Sequence, residues 1–212
     1  MTYHWSGSKE TILLAHGWES NSARWKRKIE VFINEGFNVI ALDAPAHGAS
    51  GSKLFNALLY AEFINVVAQK YQPKIVIGHS VGGMALVFYQ QKYQLDSIQK
   101  IVLLGAPSEF EGILKDYINL LGYNKKIEKS LGRVIINRFG AEPTEFSTSK
   151  FAKDITAEGL IIHDVKDPII PFSDAKLIES NFKNSSLIST KGLGHSLNNA
   201  KVTESIVDFI KN

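Results

Sequence analysis

Short runs of apolar, mostly β-branched residues alternate along this chain with longer segments in which apolar positions recur every three or four residues. The short runs predict six strands, at residues 11–15, 38–42, 74–77, 100–104, 159–163 and 186–190. Several of these runs are almost entirely apolar, which is typical of strands that are buried on both faces.

The longer segments predict helices between the strands, at residues 22–35, 56–71, 81–93, 173–181 and 201–211. In the second of them, the apolar residues have the three- and four-residue spacing of an amphipathic helix: Leu58, Leu59, Phe63, Val66 and Val67. Alternation of strands and helices is typical of βαβ units. The pattern therefore predicts an α/β protein, a three-layer α/β/α sandwich with a mostly or wholly parallel six-stranded sheet.

One connection is much longer than the others. About forty residues, at positions 108–150, separate the fourth strand from the fifth, whereas loops in such units usually have about two to six residues. This segment has helical patterns of its own, which indicate two or three helices laid over one edge of the sheet. We expect residues 1–212 to form a single domain with a small helical lid at about 108–150.

Composition excludes several classes of site. The chain has 212 residues, of which 44% are hydrophobic, and its net charge is +3. It has no cysteine, which removes thiol catalysis, zinc–thiolate sites and disulfides. The basic residues are not clustered with aromatic residues, so we expect no nucleic-acid partner. No apolar run approaches the roughly 18 residues of a membrane span, and no secretory signal is evident, so we expect a cytoplasmic protein.

A single serine lies among glycines directly after the third predicted strand. Residues 78–82 read Gly-His-Ser-Val-Gly and fit the GxSxG pattern, in which a tight strand-to-helix turn exposes the serine. The start of the following helix would favour a developing oxyanion through its free N–H groups. The alternative is a glycine-rich turn that only packs a helix against a strand.

A serine nucleophile needs a base, and the base needs a carboxylate that orients it. Asp167 follows the fifth strand and His195 follows the sixth, so the loops that carry them and Ser80 converge at the carboxyl edge of the sheet. Asp164 is the nearest alternative to Asp167, but it directly abuts the strand. His163 and Asp164 together indicate a metal pair only weakly, because no third ligand has a matching spacing.

Five motifs resemble those of the α/β-hydrolase family, and they occur in the family's order: AHGWES, DAPAHGAS, GHSVGG, HDVKDPIIP and GLGHS. The resemblance covers nearly the whole chain apart from 108–150. It implies that Ser80 is the nucleophile, His195 the general base and acid, and Asp167 its orienting carboxylate. It also implies an oxyanion hole formed by the backbone N–H groups of Trp18 and Val81.

The resemblance further implies a strand order of 2-1-3-4-5-6. Only about ten residues precede the first predicted strand, so we expect the two additional antiparallel strands that family members usually carry there to be missing. Among the other polar residues of the motifs, we expect His16 to organise its loop and His79 to support the site by packing. Asp43 and His47 are expected to brace the loop after the second strand.

A serine nucleophile implies acyl transfer. We therefore predict a serine hydrolase that cleaves a small-molecule carboxylic ester through an acyl-enzyme, with thioesters, amides and carbon–carbon bonds as lesser alternatives. No metal or organic cofactor is implied. The alternative from another class is a ligand-binding protein on a hydrolase scaffold with negligible turnover. Apolar stripes in 108–150 suggest an apolar substrate group, or only packing of the lid on the core, and the sequence leaves the oligomeric state open.

Overall fold

The computed structural model describes residues 1–212, which form one seven-stranded sheet covered by helices on both faces. The strands are β1 (Thr2–Trp5), β2 (Thr11–Ala15), β3 (Asn38–Leu42), β4 (Ile75–His79), β5 (Lys100–Leu104), β6 (Glu158–Asp164) and β7 (Ser185–Thr190). All six predicted strands are present, within two residues at each end.

Seven α-helices lie between the strands and an eighth follows the last one: α1 (Lys26–Asn34), α2 (Ala57–Tyr71), α3 (Val81–Tyr93), α4 (Phe110–Leu120), α5 (Lys125–Phe139), α6 (Thr148–Phe151), α7 (Phe172–Asn181) and α8 (Ala200–Lys211). The segment predicted as one helix at 22–35 begins instead with a 3-10 helix at Ser22–Trp25, which α1 continues. None of these helices combines the length and the hydropathy that a bilayer-spanning helix needs.

The spatial order of the strands is β1-β3-β2-β4-β5-β6-β7. The six predicted strands are parallel to one another and have the expected order. The fold class is confirmed, but the strand count is one short, because β1 pairs antiparallel with β3 at the sheet edge, where Tyr3 lies opposite Ala41. One of the N-terminal strands expected to be missing is therefore present. Its four residues, Thr-Tyr-His-Trp, lie at an exposed edge and lack a buried apolar run, so the sequence pattern does not reveal it.

Two apolar cores lie on opposite faces of the sheet. Along β2, Ile12 and Leu14 belong to the core under α1 and α8, whereas Leu13 and Ala15 belong to the core under α2, α3 and α7. Successive side chains of a strand point to opposite faces, so burial on both faces requires an unbroken apolar run. This requirement explains why β2 to β6 are recognisable in the sequence, whereas β7, at the other edge of the sheet, is only partly buried and has a mixed polar and apolar sequence.

The segment 108–150 contains the helices α4 and α5 and part of a short third helix, α6. Asn124 caps the start of α5, and Gly140 ends it in a left-handed conformation, with φ of 83°. The two ends of the segment lie side by side, because Glu109 and Ser147 form an antiparallel bridge and the Phe110 N–H donates to the Phe146 carbonyl at 3.1 Å.

Candidate functional site

Ser80 occupies the sharp turn between β4 and α3. Its backbone has φ of 54° and ψ of −128°, a conformation that residues with a Cβ atom rarely adopt. Close packing surrounds the turn: a Cβ atom at Gly78 would lie 2.5 Å from the Gly83 Cα, and one at Gly82 would lie 2.3 Å from the Ala15 carbonyl oxygen. The glycines of the motif are therefore needed because backbone segments pass within contact distance of each other.

Two backbone N–H groups near Ser80 are free to bind an anion. Val81 is the first residue of α3, where an N–H has no partner inside the helix, and neither its N–H nor that of Trp18 donates within the chain. The two loops are in contact, since a Cβ atom at Gly17 would lie 2.9 Å from the Ser80 Cβ. These are the two groups that the resemblance to the α/β-hydrolase family implies for an oxyanion hole.

His16 fixes the peptide unit that contains the Trp18 N–H. Its Nε2 atom accepts a hydrogen bond from the Ala44 N–H at 2.9 Å, so the ring proton lies on Nδ1 and is donated to the Gly17 carbonyl at 2.7 Å. The Gly17 carbonyl and the Trp18 N–H belong to one planar peptide unit, so holding the first directs the second. Burial lowers the pKa of His16 to about 4, and the ring is neutral at pH 7.

This buried histidine gives a prediction about acid stability. Between pH 6.5 and about 4 the unfolded chain binds a proton at His16 that the folded chain excludes. The free energy of unfolding should therefore fall as the pH decreases through this window, by roughly 3 kcal/mol from this group. In His16→Gln this contribution is absent, and urea unfolding across the window measures the difference in slope. His4→Gln, at an exposed histidine, is the control, and equal slopes for His16→Gln and the parent would contradict the prediction.

A second histidine braces the same loop from the other side. The His47 Nε2 atom accepts from the Glu19 N–H at 3.1 Å, and its Nδ1–H donates to the Pro45 carbonyl at 2.8 Å. His16 and His47 thus tie the loop after β2 to the loop after β3 in both directions. The prediction that His16 organises its loop and that His47 braces the loop after β3 is confirmed.

Asp43 holds the loop after β3 through its carboxylate. It accepts hydrogen bonds from the Ser22 N–H at 2.8 Å and the Ala49 N–H at 2.9 Å, and from the Tyr3 hydroxyl at 3.0 Å. Burial alone would raise the pKa of Asp43, but these hydrogen bonds outweigh it and hold the pKa below its usual value. The bracing role predicted for Asp43 is confirmed.

His195 and Asp167 form a direct hydrogen bond, from the His195 Nδ1–H to the Asp167 Oδ2 atom at 2.7 Å. The Asp167 side chain is inaccessible to solvent, whereas the His195 side chain is 20% exposed. The other carboxylate oxygen, Oδ1, accepts from the Ile169 and Ile170 N–H groups at 2.8 and 3.0 Å. Local turn geometry therefore fixes the carboxylate, and Oδ2 is left to orient the imidazole.

Asp164, the alternative to Asp167, has a different place. Its carboxylate accepts from the Lys166 N–H at 2.9 Å, the Thr190 hydroxyl at 2.9 Å and the Leu193 N–H at 2.8 Å. These bonds tie the end of β6 to the loop that leads to His195. Asp164 thus shapes the loop and makes no hydrogen bond to the imidazole.

His163 is also close to the buried carboxylate. Its Nε2 atom lies 3.4 Å from the Asp167 Oδ2 atom and 2.9 Å from the Ile170 carbonyl oxygen, to which it donates. The side chain is fully buried, and its Nδ1 atom has no hydrogen-bond partner. His163 therefore contacts the same carboxylate oxygen that accepts from His195, and it makes no hydrogen bond to Asp164.

The structure brings the three predicted side chains to one edge of the sheet, but it links only two of them. His195 is hydrogen-bonded to Asp167, whereas no hydrogen bond joins the Ser80 hydroxyl to His195. The two loops are nevertheless in contact, because the His79 ring, next to Ser80 in the chain, lies 4.8 Å from the His195 ring between centroids. Bonds of this kind are often formed only when substrate is bound.

Arg24 is the residue of this site that sequence reasoning missed. It donates to the His79 Nδ1 atom and, at 2.9 Å, to the Ser196 carbonyl. The His79 Nε2–H in turn donates to the His195 carbonyl at 2.7 Å, a more specific role than the supporting packing predicted for it. In the sequence, Arg24 is one of four basic residues within Arg24–Lys28 and carries no distinguishing signal.

Aromatic side chains lie at the mouth of the site. The Trp18 ring meets the ring of Tyr117 in α4 edge-on, with centroids 5.5 Å apart, and Tyr117 meets Tyr123 at 6.3 Å. All three are more than one-third exposed, at 39%, 37% and 39%. The segment 108–150 therefore contacts the loop that contains the Trp18 N–H and presents apolar surface there.

Comparison with known proteins identifies the family of this chain. Residues 10–146 match the family described as alpha/beta hydrolase fold. The chain is 27% identical to the bifunctional esterase/perhydrolase DCH of Acinetobacter calcoaceticus, over 88% of this chain and 85% of that protein. It is 23% identical to the monoacylglycerol lipase of Mycolicibacterium smegmatis, over 79% of this chain and 73% of that protein.

Solved structures share the fold along the whole chain. The esterase EaEST from Exiguobacterium antarcticum superposes with a TM-score of 0.79 at 20% identity, covering 100% of this chain and 95% of its own. The bromoperoxidase from Bacillus anthracis gives 0.78 at 21% identity, with 100% and 95% covered. The family match covers more than half of the chain and the solved structures share its fold, so the chain belongs to the alpha/beta hydrolase fold family.

Proposed function

We propose that this protein is a serine hydrolase that cleaves carboxylic esters through an acyl-enzyme intermediate. One arrangement of groups supports the proposal. Ser80, at a strained strand-to-helix turn, lies beside two free backbone N–H groups. In the neighbouring loop, His195 is hydrogen-bonded at 2.7 Å to the buried carboxylate of Asp167. A nucleophile, a base, an orienting acid and an oxyanion site are together what acyl transfer requires.

In the first half of the proposed reaction, the Ser80 oxygen attacks the ester carbonyl carbon while the His195 Nε2 atom takes the hydroxyl proton. Asp167 keeps the other ring proton on Nδ1, so Nε2 is available as the acceptor. The carbonyl oxygen becomes an oxyanion, which the Trp18 and Val81 N–H groups bind. Each such donor is worth about 10²–10³ in rate in comparable sites.

The tetrahedral intermediate then collapses. The bond to the alcohol oxygen breaks, His195 returns the proton to that oxygen, and the acyl group remains on Ser80 as an ester. Water attacks this ester with His195 again as the base, and the acid leaves with Ser80 restored. Every proton and electron pair in these steps is accounted for by groups of the chain, the substrate and water.

The names of the relatives support an ester as the substrate. One is called an esterase/perhydrolase and another a monoacylglycerol lipase, and both cover more than two-thirds of this chain. Thioesters, amides and carbon–carbon bonds remain lesser alternatives that the same groups could process. The cytoplasmic location expected from the sequence stays a prediction.

We further propose that the segment 108–150 acts as a lid that contributes to the substrate site. Tyr117 reaches the oxyanion loop and packs on Trp18, so an acyl or alcohol group bound at Ser80 would meet these rings. Their exposed apolar surface favours a substrate with an apolar group on at least one side of the ester.

Labelling with a fluorophosphonate probe, followed by peptide mapping, tests the proposal. We expect covalent modification of the parent chain at Ser80, no modification of Ser80→Ala, and multiple turnover of short esters by the parent. Ser205→Ala is the control, since Ser205 lies in α8, outside the site, and its hydroxyl donates only to the Lys201 carbonyl of the same helix. A well-folded parent that neither reacts nor hydrolyses esters would reject the proposal and favour the ligand-binding alternative.

A further inference from the structure

Arg24 and His79 link three segments of the candidate site. Arg24 belongs to the 3-10 helix Ser22–Trp25 that follows the oxyanion loop, and His79 is the last residue of β4. Arg24 donates to His79 Nδ1, and the pair then makes two bonds to consecutive carbonyls of one loop: His79 to His195 at 2.7 Å and Arg24 to Ser196 at 2.9 Å.

The guanidinium also decides which His79 nitrogen carries the proton. Arginine has no acceptor, so His79 Nδ1 must accept from Arg24, and the ring proton lies on Nε2, where it is donated to the His195 carbonyl. Burial, followed by the nearby Arg24 charge, lowers the pKa of His79 well below its usual value, which keeps the ring neutral. The direction of both hydrogen bonds is therefore set by one charged group.

The cation is in an environment that is unfavourable for its charge. Burial lowers the pKa of Arg24 to about 10, and none of the ion pairs in the structure includes this residue. Lys28, one helical turn further on, is only 3% exposed and adds a second positive charge. Arg24 itself is half-buried, and its guanidinium is held by the two hydrogen bonds and by the Trp25 ring, whose centre lies 5.2 Å away, and not by a carboxylate.

We propose that Arg24 and His79 are positioning residues that fix the backbone of the loop carrying His195. Anchoring the carbonyls of residues 195 and 196 sets the position from which the imidazole reaches towards Ser80. Asp167 fixes the orientation of the ring, and the Arg24–His79 pair fixes its distance from the nucleophile. The inference rests on the proposed serine hydrolase function and assigns a role to two residues that do not contact the reacting atoms.

Two substitutions of His79 separate its two bonds. In His79→Asn the shorter side chain can still accept from Arg24 but cannot reach the His195 carbonyl. In His79→Gln the amide nitrogen lies near the original Nε2 position and can still donate to that carbonyl. Arg24→Lys keeps the charge but loses the planar guanidinium, whose two terminal nitrogens donate to His79 and to the Ser196 carbonyl. Arg27→Met, at an exposed arginine in α1, is the control.

We expect His79→Asn and Arg24→Lys to lower kcat for a short ester by about 10²-fold, with KM changed by less than about 3-fold, because small misplacements of a catalytic group have effects of this size. His79→Gln should recover most of the parental kcat, and Arg27→Met should match the parent. Far-ultraviolet circular dichroism and thermal unfolding establish that each variant is folded.

A second readout does not require turnover. The proton shared by His195 Nδ1 and Asp167 gives a far-downfield signal in one-dimensional proton NMR, and we expect it to broaden or vanish in His79→Asn and Arg24→Lys but to persist in His79→Gln. Unchanged kcat and an unchanged signal in folded variants would overturn the inference. An increase of KM alone would overturn it as well, because it would place Arg24 in contact with substrate.

Failure of the inference is distinct from failure of the proposed function. If the parent hydrolyses esters and the variants have the same kcat, the proposed serine hydrolase function is supported and the positioning role is rejected. If the parent does not hydrolyse esters, the proposed function falls, and the NMR signal still reports whether the Arg24–His79 pair holds the His195 loop.

Discussion

Ser80→Gly is expected to abolish hydrolysis and, at the same time, to make the protein more stable. The side chain removed is the proposed nucleophile, so kcat should fall by at least about 10⁴-fold. The backbone at this position has φ of 54°, which glycine adopts without steric cost. Glycine should relieve about 1–3 kcal/mol of backbone strain in the folded state. This gain should exceed the cost of roughly 0.4–1 kcal/mol that arises because glycine increases the conformational entropy of the unfolded chain.

Ser80→Ala provides the matched control for this effect. Alanine also lacks the hydroxyl but keeps the Cβ atom, so it should lose the same activity while its stability stays within about 0.5 kcal/mol of the parent. Ester hydrolysis and urea unfolding of the three proteins measure the two quantities. A Ser80→Gly variant less stable than Ser80→Ala would mean that no strain is stored in this turn.

Asp167→Asn should lower kcat by about 10⁴-fold while leaving the fold intact. The oxygen of the new amide must remain at the Oδ1 position, where it accepts from the Ile169 and Ile170 N–H groups. The amide nitrogen then faces His195 and donates to its Nδ1 atom. The ring proton is forced onto Nε2, the atom that has to accept the proton of Ser80, so the base is in the wrong tautomer.

Steady-state hydrolysis and the rate of fluorophosphonate labelling both measure this loss. Asp208→Asn, at an exposed carboxylate in α8, is the control and should match the parent in both assays. A decrease of less than about 10-fold in Asp167→Asn would contradict the assignment of the orienting acid to Asp167, because the tautomer effect in comparable triads is far larger.

The parallel strands and the candidate triad could be predicted from the sequence because each has a strong local signal. Strands buried on both faces must be continuously apolar, and the turn at Ser80 needs small residues wherever backbones meet. The preference for Asp167 over Asp164 has two grounds: Asp164 directly abuts the strand, and the stretch Lys166–Pro171 resembles the acid loop of the family.

Features that depend on distant contacts could not be predicted in this way. The strand β1 is identified only by its pairing with β3, because its own residues are half polar and lie at an edge. Arg24 donates to a carbonyl 172 residues away in the chain, and no spacing rule reports such a contact. The tautomers of His16, His47 and His79 likewise depend on backbone groups that only the folded chain brings near.

The paired ends of the segment 108–150 have a consequence for how this protein could diversify. The Glu109–Ser147 bridge places the two ends of the segment side by side, so the residues between them form a loop that leaves the sheet and returns to the same point. Closing a loop of different length between fixed ends changes the chain entropy only slowly, by about 0.6 kcal/mol for each doubling. Recombination could therefore exchange this module between hydrolases and alter substrate preference, while the tightly packed turn at Ser80 is inherited unchanged.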